Sequence, residues 1–257
     1  MAILRVKDYH SNLPNLPIID VPDRLDSIIS AIGNKLLWVD PKGGAGIELK
    51  NKANPDKKLI TSATSGYFQA SQFENTLPAL LAEDTGLCAY FANPHLEITG
   101  AFTIVFVAQL SSTKPTGASE VIGGINSSGA EDVRCRVGFG TSKSFNLWRG
   151  DTTLRVSAPH DPAWLAKPHI FAITSSARGV GIYVNGKTIA TNPDDKRTLT
   201  DGKFRIGTST TSNAPTTNAF AGKLGHVLVF GSDLSADQTL SNLTLALAEK
   251  YKIQGVV

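Results

Sequence analysis

The sequence predicts an all-β protein built as a sandwich of two antiparallel sheets, and three observations support this fold class. Short apolar or alternating runs recur between turn residues from Phe102 to Phe230. The 257 residues include 23 glycines and 13 prolines, which favour turns. Only 18% of the residues are charged, which is below the usual quarter. Many regularly spaced strands in a chain of this length are typical of one large sandwich domain.

The first 22 residues are expected to be an extended arm, because three prolines in this segment fix φ and remove backbone donors. The arm is also apolar, which is unusual for a solvated linker. Its apolar side chains include Leu13, Leu16, Ile18 and Ile19. Two interpretations remain open at this point: the arm folds over its own domain, or it docks on a neighbouring chain.

A short helix is predicted after the arm and a longer one at the C-terminus. Over residues 23–32 the apolar side chains recur at helical spacing, and they are Leu25, Ile28, Ile29 and Ile32. Near the C-terminus, Ser235 and Gln238 form a capping-box pattern that predicts the start of a helix of about four turns. Its apolar stripe consists of Leu240, Leu243, Leu247 and Tyr251.

Between these helices the chain is predicted to be strands and turns. Residues 35–100 contain short apolar runs separated by loops, and residues 102–110 are apolar on both faces, as a central strand should be. Further strands are predicted at 120–125, 134–140, 145–148, 153–157, 169–174, 203–208 and 222–230. Asn185-Gly186 predicts a type I′ hairpin in which Ile182 faces Ile189. The predicted core includes Ile104, Phe106, Phe171, Ile173, Ile182 and Leu228.

The order of these segments resembles a known family. The strand block consists of "FTIVFVAQL", "HIFAIT", "GIYVNGKTIAT", "FRIGT" and "FAGKLGHVLVFGSDLSADQ", and a short helix ending in "EKYKI" follows. With "LLWVDPKGGAG" upstream, this order is similar to the concanavalin A-like lectin/glucanase superfamily, in its laminin G-like branch, over residues 36–254. The resemblance implies a jelly roll with one concave sheet. It also implies binding of glycans or protein partners at the rim loops or the concave face.

We therefore predict two parts of the chain. Residues 1–35 comprise the extended arm and the short helix, and residues 36–257 comprise a concanavalin A-like jelly-roll domain that ends in the C-terminal helix. In this arrangement the Asn185-Gly186 hairpin forms one edge of the sandwich and has a structural role. Cys88 and Cys135 are interpreted as two separate small core residues, although one bridge between them is the alternative.

Catalytic function is not predicted. The glycosidases of this superfamily use a Glu-x-Asp-x-x-Glu cluster on one strand, and a retaining pair lies about 5 Å apart. Neighbouring residues on a strand point to opposite faces, so we interpret the adjacent acids here as solvated loop charges. These acids are Glu83-Asp84, Glu131-Asp132 and Asp194-Asp195. His226 stands where many family members have an acidic residue in the last strand. His160 and His169 have no evident third ligand nearby, so no metal site and no cofactor are expected.

Residues 143–151 contain the best candidates for ligand binding. Trp148 offers an aromatic platform, and Asn146, Arg149 and Asp151 offer hydrogen-bonding groups. Sugars have apolar faces that pack on aromatic rings, and their hydroxyl groups need fixed polar partners. The alternative is that Trp148 ends a strand and packs into the core. The hydroxyl-rich loop at 208–220 either is a mobile connection or lines a recognition surface.

The composition excludes two kinds of partner. The formal net charge is +3, and the basic residues are scattered rather than arranged in a stripe with aromatic residues, so no nucleic acid is expected. No segment approaches the roughly 18 apolar residues of a membrane span, so no membrane partner is expected either. The N-terminus lacks an apolar run of signal-peptide length, which predicts no export by that route.

Three functions remain open. The first is a non-enzymatic structural or accessory protein of a bacteriophage virion, as a head decoration or tail component, whose lectin-like domain binds host-surface glycans. The second is a free carbohydrate-binding protein, and the third is a degenerate glycosidase. The virion is favoured because the resembled domains mostly work outside cells, and virion proteins leave the host cytoplasm by lysis. Capsid or tail proteins would then bind the arm, and the protein would be a homo-oligomer or present in repeated copies.

Overall fold

A computed structural model gives the conformation of most of the chain. It describes residues 23–61, 66–83, 90–93, 97–113, 119–125, 135–149, 153–196, 199–207 and 219–256. The predicted arm, with its Leu13, Leu16, Ile18 and Ile19, lies outside the described residues. Cys88, Asp151 and the acidic pair Glu131-Asp132 also lie outside them.

The described chain consists mainly of strands. The helices are α1 (Arg24–Ala31), α2 (Ala163–Ala166) and α3 (Thr239–Tyr251), and 3₁₀ turns span Pro41–Gly43 and Leu234–Ala236. The first strands are β1 (Lys35–Val39), β2 (Glu48–Leu49), β3 (Lys58–Thr61), β4 (Gln69–Gln72), β5 (Pro78–Ala82), β6 (Tyr90–Asn93), β7 (Glu97–Gly100) and β8 (Phe102–Leu110). They are followed by β9 (Ser119–Ile125), β10 (Cys135–Phe139), β11 (Phe145–Arg149), β12 (Thr153–Ala158), β13 (His169–Ser176), β14 (Gly179–Val184), β15 (Lys187–Asn192), β16 (Leu199–Ile206) and β17 (Gly222–Phe230).

These strands form two antiparallel sheets. Among the described residues, the back sheet has eight strands in the order β15-β14-β13-β8-β17-β5-β4, with β1 also paired to β17. The front sheet has nine strands in the order β12-β11-β10-β9-β16-β6-β3-β2, with β7 also paired to β16. The main core lies between the two sheets, which confirms the predicted sandwich.

Strand β8 confirms the prediction of a central strand, because it lies between β13 and β17 and all nine of its residues are buried. Its side chains alternate between two cores, as the period of a strand requires. Ile104 and Phe106 face the front sheet, whereas Val105 and Val107 face the helices on the other side. This double burial explains why the sequence of β8 is apolar at almost every position.

Leu228 is a correction to the predicted core. It is buried, but it lies beneath the helices rather than between the sheets, unlike the other five predicted residues. The reason is a bulge in β17: Leu224 pairs with Ala108 and Val227 with Phe106, so Gly225 and His226 together oppose a single residue. The bulge shifts the alternation by one residue, which moves Leu228 to the outer face.

Helices α1 and α3 form a third layer over the outer face of the back sheet. Leu25 and Ile29 of α1 are buried there, as are the predicted stripe residues Leu240, Leu243, Leu247 and Tyr251 of α3. The predicted C-terminal helix is confirmed, but its capping box is not. Asp233 accepts hydrogen bonds from the backbone N–H and the hydroxyl of Ser235 at 3.0 and 2.7 Å, so Ser235 lies in a 3₁₀ turn and α3 begins at Thr239. No helix in the described part of the chain is long and apolar enough to cross a membrane.

The predicted hairpin joins β14 to β15 at one edge of the back sheet. Asn185 and Gly186 have φ angles of 50° and 83°, as a type I′ turn requires. The predicted pairing is wrong, because Ile182 pairs with Ala190 across a register shift. Ile189 is 43% exposed instead of facing Ile182.

Candidate functional site

The outer face of the front sheet carries two of the predicted binding residues. In β11, Phe145 and Leu147 are buried between the sheets, so Asn146 and Trp148 lie on the opposite face. Trp148 is half-buried rather than part of the core. The first interpretation of Trp148, a platform on the surface of the sandwich, therefore agrees with its position better than the alternative that placed it in the core.

An arginine of the neighbouring strand lies over the Trp148 ring. Arg136 of β10 pairs directly with Trp148, and its guanidinium carbon is 5.2 Å from the ring centroid. Such a cation–π contact holds the ring in a defined orientation. On its other side Arg136 pairs with Gly123 of β9, which in turn pairs with Arg205 of β16. Burial lowers the pKa of the Arg205 guanidinium.

The turn between β10 and β11 completes this surface with hydroxyl groups. The Nδ2 of Asn146 donates to the Ser144 hydroxyl at 3.0 Å, and the hydroxyls of Ser144 and Ser142 are 3.1 Å apart. Gly140 lies so close that a Cβ there would be 2.8 Å from the Asn146 Nδ2 and 3.8 Å from Cζ2 of Trp148. The glycine therefore allows this turn to approach Asn146 and Trp148.

Asn146 also has an unsatisfied acceptor. The residue is 3% exposed, and its Oδ1 has no hydrogen-bond partner among the described residues. A buried acceptor without a partner is costly to the folded state. The Oδ1 can therefore accept one further donor that the described residues do not supply.

The described part of the structure does not show the side chains of the other two predicted binding residues near Asn146 and Trp148. Arg149 ends β11, and only its backbone is described. Asp151 lies outside the described residues. Asp195, interpreted from sequence as a solvated loop charge, is in fact 5% exposed, and its carboxylate is 3.6 Å from Nε of Arg155.

The two histidines of residues 159–169 pack against aromatic rings. His160 contacts the ring of Trp164 at a centroid distance of 5.9 Å, and Trp164 is buried against Phe139 and Phe171. The Nδ1 of His169 is 3.0 Å from the Lys167 carbonyl, and burial lowers the pKa of its imidazole. Neither histidine belongs to a potential metal-ligand group within the described part of the chain.

A second polar cluster, which the sequence did not predict, lies where α1 meets the end of β1 and the middle of β17. Asp26, Asp40 and His226 bring their potential ligand atoms within 4.8 Å of one another. The Lys52 ammonium group contacts both carboxylates, at 3.0 Å from Asp26 and 3.2 Å from Asp40. Burial alone would lower the pKa of Lys52, but these two carboxylates raise it. The positive charge that the carboxylates require is therefore already supplied by the chain.

His226 is buried in this cluster by the bulge of β17. Its backbone N–H donates to the hydroxyl oxygen of Tyr251 at 2.9 Å, and its Nδ1 is 2.7 Å from the same oxygen. Burial lowers the pKa of His226 to about 4, and the nearby Asp40 carboxylate offsets this only in part. Burial has the opposite effect on the pKa of the Tyr251 hydroxyl, which it raises, because the charged form of tyrosine is the deprotonated one. Both side chains are therefore neutral at neutral pH.

Comparison with known sequences identifies the family. A family model described as the concanavalin A-like lectin/glucanases superfamily, laminin G type, matches residues 84–239. The chain belongs to this superfamily. No curated protein sequence matches the chain.

Several solved structures have a fold similar to that of this chain, and some of them are parts of larger proteins. A sialidase of Trypanosoma rangeli in complex with sialic acid is similar with a TM-score of 0.57 and 14% identity, over 85% of this chain and 33% of the sialidase chain. Domain 4 of AbnA, a GH43 extracellular arabinanase from Geobacillus stearothermophilus, in complex with arabinotriose, has a TM-score of 0.57 and 11% identity over 83% of this chain and 98% of that domain. The binding domain of Paraclostridial Mosquitocidal Protein 1 has a TM-score of 0.55 and 10% identity, over 84% of this chain and 52% of that one.

These identities are low enough that they support the fold alone. The chain spans about a third of the sialidase chain that it matches. The superfamily assignment and the fold together make this a jelly-roll domain of the lectin/glucanase type.

Sequence reasoning missed Arg136 as a neighbour of Trp148. The alternation in β10 places Val137 and Phe139 in the core, which puts Arg136 on the outer face. That signal was present in the sequence. The contact with Trp148 also depends on the register between β10 and β11, which the sequence did not provide.

Proposed function

We propose that this protein is a non-enzymatic component of a bacteriophage virion that binds glycans on the outer face of its front sheet. The observation that carries the glycan-binding part is the surface around Trp148. A half-buried aromatic ring, held under the Arg136 guanidinium at 5.2 Å, lies beside the unsatisfied Oδ1 of Asn146. An aromatic surface next to fixed polar groups matches the apolar face and the hydroxyl groups of a sugar.

The superfamily assignment supports a saccharide as the ligand. The arabinanase domain that shares this fold was solved in complex with arabinotriose, and the matched sialidase was solved with sialic acid. Low identity prevents transfer of either ligand to this chain. Both ligands nevertheless serve as first probes, because one is a neutral pentose oligomer and the other is an acidic sugar.

The arrangement of carboxylates supports a non-enzymatic protein. A retaining glycosidase needs two carboxylates about 5 Å apart across the bond to be cleaved. Asp26 and Asp40 are close enough, but the Lys52 ammonium group contacts both of them at 3.0 and 3.2 Å. Asp26 belongs to α1 and Asp40 follows β1, on the outer side of the back sheet, whereas Trp148 lies on the front sheet. Hydrolysis of any glycan that is abolished by a single Asp or Glu substitution would contradict this part of the proposal.

The test of glycan binding compares the half-buried Trp148 with an exposed aromatic residue elsewhere on the domain. Trp148→Ala should weaken binding to a glycan array, and to arabinotriose or sialic acid in titrations, by at least about tenfold. Tyr67→Ala is the matched control, because Tyr67 is an exposed aromatic residue at 52% exposure elsewhere on the domain. Both variants should keep the melting temperature of the unmodified protein, and a large loss in Trp148→Ala would indicate a packing role instead. Unchanged glycan binding in Trp148→Ala, or no binding by the unmodified protein, would contradict the proposal.

The virion part of the proposal is supported by the sequence of the arm. Prolines reduce the conformational freedom that an extended segment loses when it binds, and Leu13, Leu16, Ile18 and Ile19 provide apolar anchors. We therefore assign the arm to capsid or tail proteins, or to a neighbouring copy in a homo-oligomer. In the virion, the lectin-type domain would then face host-surface glycans.

Deletion of residues 1–22 tests this assignment. The expected result is unchanged thermal stability of the domain together with loss of incorporation into phage particles. A truncated protein that unfolds or aggregates would show that the arm belongs to its own core. Full incorporation of the truncated protein would show that attachment does not use the arm.

A further inference from the structure

The back sheet carries a polar cleft that is separate from the Trp148 surface. The cleft has a volume of about 360 Å³ and lies where the outer faces of β13, β14 and β15 meet the 3₁₀ turn at Leu234–Ala236. All the residues that line it belong to continuously described segments, 153–196 and 219–256. Helices α1 and α3 do not line it, so the cleft is open beside the helical layer.

The centre of the cleft is a row of three residues on adjacent strands. Gly181 of β14 pairs with Thr174 of β13 on one side and with Thr191 of β15 on the other. Because neighbouring strands are about 4.8 Å apart, the two threonines are separated by roughly 10 Å, and Gly181 between them has no side chain of its own. The row therefore presents two threonines on either side of a glycine.

Tyr183 provides an aromatic surface over this glycine. A Cβ on Gly181 would lie 2.9 Å from both Cε2 and Oη of Tyr183, so the ring leans over the glycine along its own strand. Tyr183 is half-buried and lines the cleft. An aromatic ring in this position can pack against the C–H groups of a sugar ring.

The wall of the cleft is an ordered pair of opposite charges. Arg178 Nη2 donates to Asp233 at 2.8 Å and to the Ser235 hydroxyl at 3.3 Å. Asp233 is held in place by the backbone and the hydroxyl of Ser235. A guanidinium has five N–H donors, and these contacts use Nη2 alone. Because Asp233 balances the charge of Arg178, the wall favours neutral polar groups over anions.

The cleft also contains a hydroxyl group that makes no hydrogen bond with the described part of the chain. This group belongs to Thr174, which is 3% exposed and lines the cleft. Thr174, Tyr183 and Arg178 border the same space, so a ligand in the cleft can form a hydrogen bond with this hydroxyl.

We propose that this cleft binds one residue of a neutral saccharide, with Tyr183 as the stacking surface and Thr174 and Arg178 as hydrogen-bonding partners. This inference goes beyond the proposed function, because it places a second sugar site on the back sheet. Two sites on one domain would let a single copy engage two chains of a glycan surface at once. Linked sites of this kind bind multivalent surfaces far more tightly than either site alone.

The experiment is a titration followed by NMR, using arabinotriose, maltotriose and chitotriose in the millimolar range as probes. At least one probe should shift the backbone amide signals of Gly179, Gly181 and Thr191. Thr174→Val, which keeps the shape of the side chain but removes its hydroxyl, should weaken this binding by about tenfold. Arg178→Met should weaken it similarly, and its side chain is 56% exposed, so the fold should persist. Lys187→Met, on the same hairpin but outside the cleft, is the matched control.

Further variants separate this site from the front sheet. Trp148→Ala should leave the shifts at the cleft unchanged, and Tyr183→Phe should retain binding because it keeps the ring. Glycan binding that depends on Trp148 and causes no shifts at the cleft would overturn this inference but not the proposed function. Shifts that persist in both Thr174→Val and Arg178→Met would also overturn it. No binding by any probe at either face would overturn both proposals.

Discussion

The contact between His226 and Tyr251 fixes where the protons of both side chains lie. The Tyr251 oxygen accepts the backbone N–H of His226, so its own O–H is free to donate to Nδ1. The Asp40 carboxylate, 3.8 Å from Nε2, favours the neutral tautomer with its proton on Nε2, in which Nδ1 accepts the tyrosine O–H. A second proton on Nδ1 would oppose the tyrosine proton, and burial adds to that cost.

This arrangement predicts a loss of stability in mild acid. The pKa of His226 is about 4 in the folded state, against an ordinary value of 6.5 in the unfolded chain. The unfolded chain therefore takes up a proton between pH 6.5 and 4 that the folded protein does not. The free energy of unfolding should fall by up to about 3 kcal/mol over this range, as measured by urea unfolding at several pH values.

The control for this prediction is His226→Gln, which removes the titrating ring but keeps a polar side chain. Its unfolding free energy should depend less on pH between 6.5 and 4 than that of the unmodified protein. The comparison is needed because burial also lowers the pKa of His169, which titrates in the same direction. Parallel pH profiles for the two proteins would show that His226 does not carry the effect.

Gly225 shows how one missing side chain makes this contact possible. A Cβ at that position would lie 2.6 Å from the Tyr251 oxygen. We expect Gly225→Ala to lower the melting temperature by displacing Tyr251, and Gly225→Ala combined with Tyr251→Leu to recover part of the loss. Equal melting temperatures for the single and the double variant would contradict this explanation.

Among the secondary-structure elements, α1 is held to the rest of the molecule by ion pairs of very different exposure. Lys52 joins Asp26 of α1 to Asp40, and its side chain is 35% exposed. Arg24 of α1 pairs with Glu249 of α3, but these side chains are 66% and 60% exposed. Lys250 of α3 also contacts Asp23, the N-cap of α1.

Two matched substitutions measure this difference. Lys52→Met leaves two neighbouring carboxylates without their shared cation, and it should lower the free energy of unfolding by about 1–3 kcal/mol at neutral pH. Arg24→Met removes a solvated pair and should cost no more than about 0.5 kcal/mol. Chemical denaturation of both variants tests the prediction, which is wrong if Arg24→Met is as destabilising as Lys52→Met.

The sequence predicted the existence of these elements better than the way they pack. The apolar stripes of α1 and α3 showed that each helix covers something, but a stripe does not say which surface it covers. The prediction of a turn at Asn185-Gly186 was correct, because only a few turn types have positive φ at both central positions and this residue pair favours them. The pairing of Ile182 with Ala190 depends on a register shift, which leaves no local sequence signal.

For the whole molecule, a cluster of aromatic rings packs at the centre of the core between the sheets. Phe106 of the back sheet contacts Phe145 at 5.7 Å and Phe171 at 5.6 Å between ring centroids. Phe106→Ala should reduce the free energy of unfolding by about 3–5 kcal/mol, because the surrounding rings cannot close the cavity. A loss below about 1 kcal/mol in denaturant unfolding would be inconsistent with the tight packing of this cluster.

The candidate site could be predicted only in part. Asn146 and Trp148 were identified because they combine an aromatic ring with a polar group in one strand. The bulge that moves Leu228 and buries His226 could not be predicted, since the four residues after the bulge, Val227 to Phe230, are all apolar and fit either phase of the alternation. The row of Thr174, Gly181 and Thr191 spans three strands, so it becomes visible only when the strand register is known.

The contact between α1 and α3 has a consequence for how the domain is oriented. Asp23, where the described fold begins, touches Lys250 in the last turn of the final helix. The chain therefore enters and leaves the sandwich at one corner, behind the back sheet, while Trp148 is on the opposite side. A partner that binds at this corner would therefore contact the rear of the domain and leave the Trp148 face accessible.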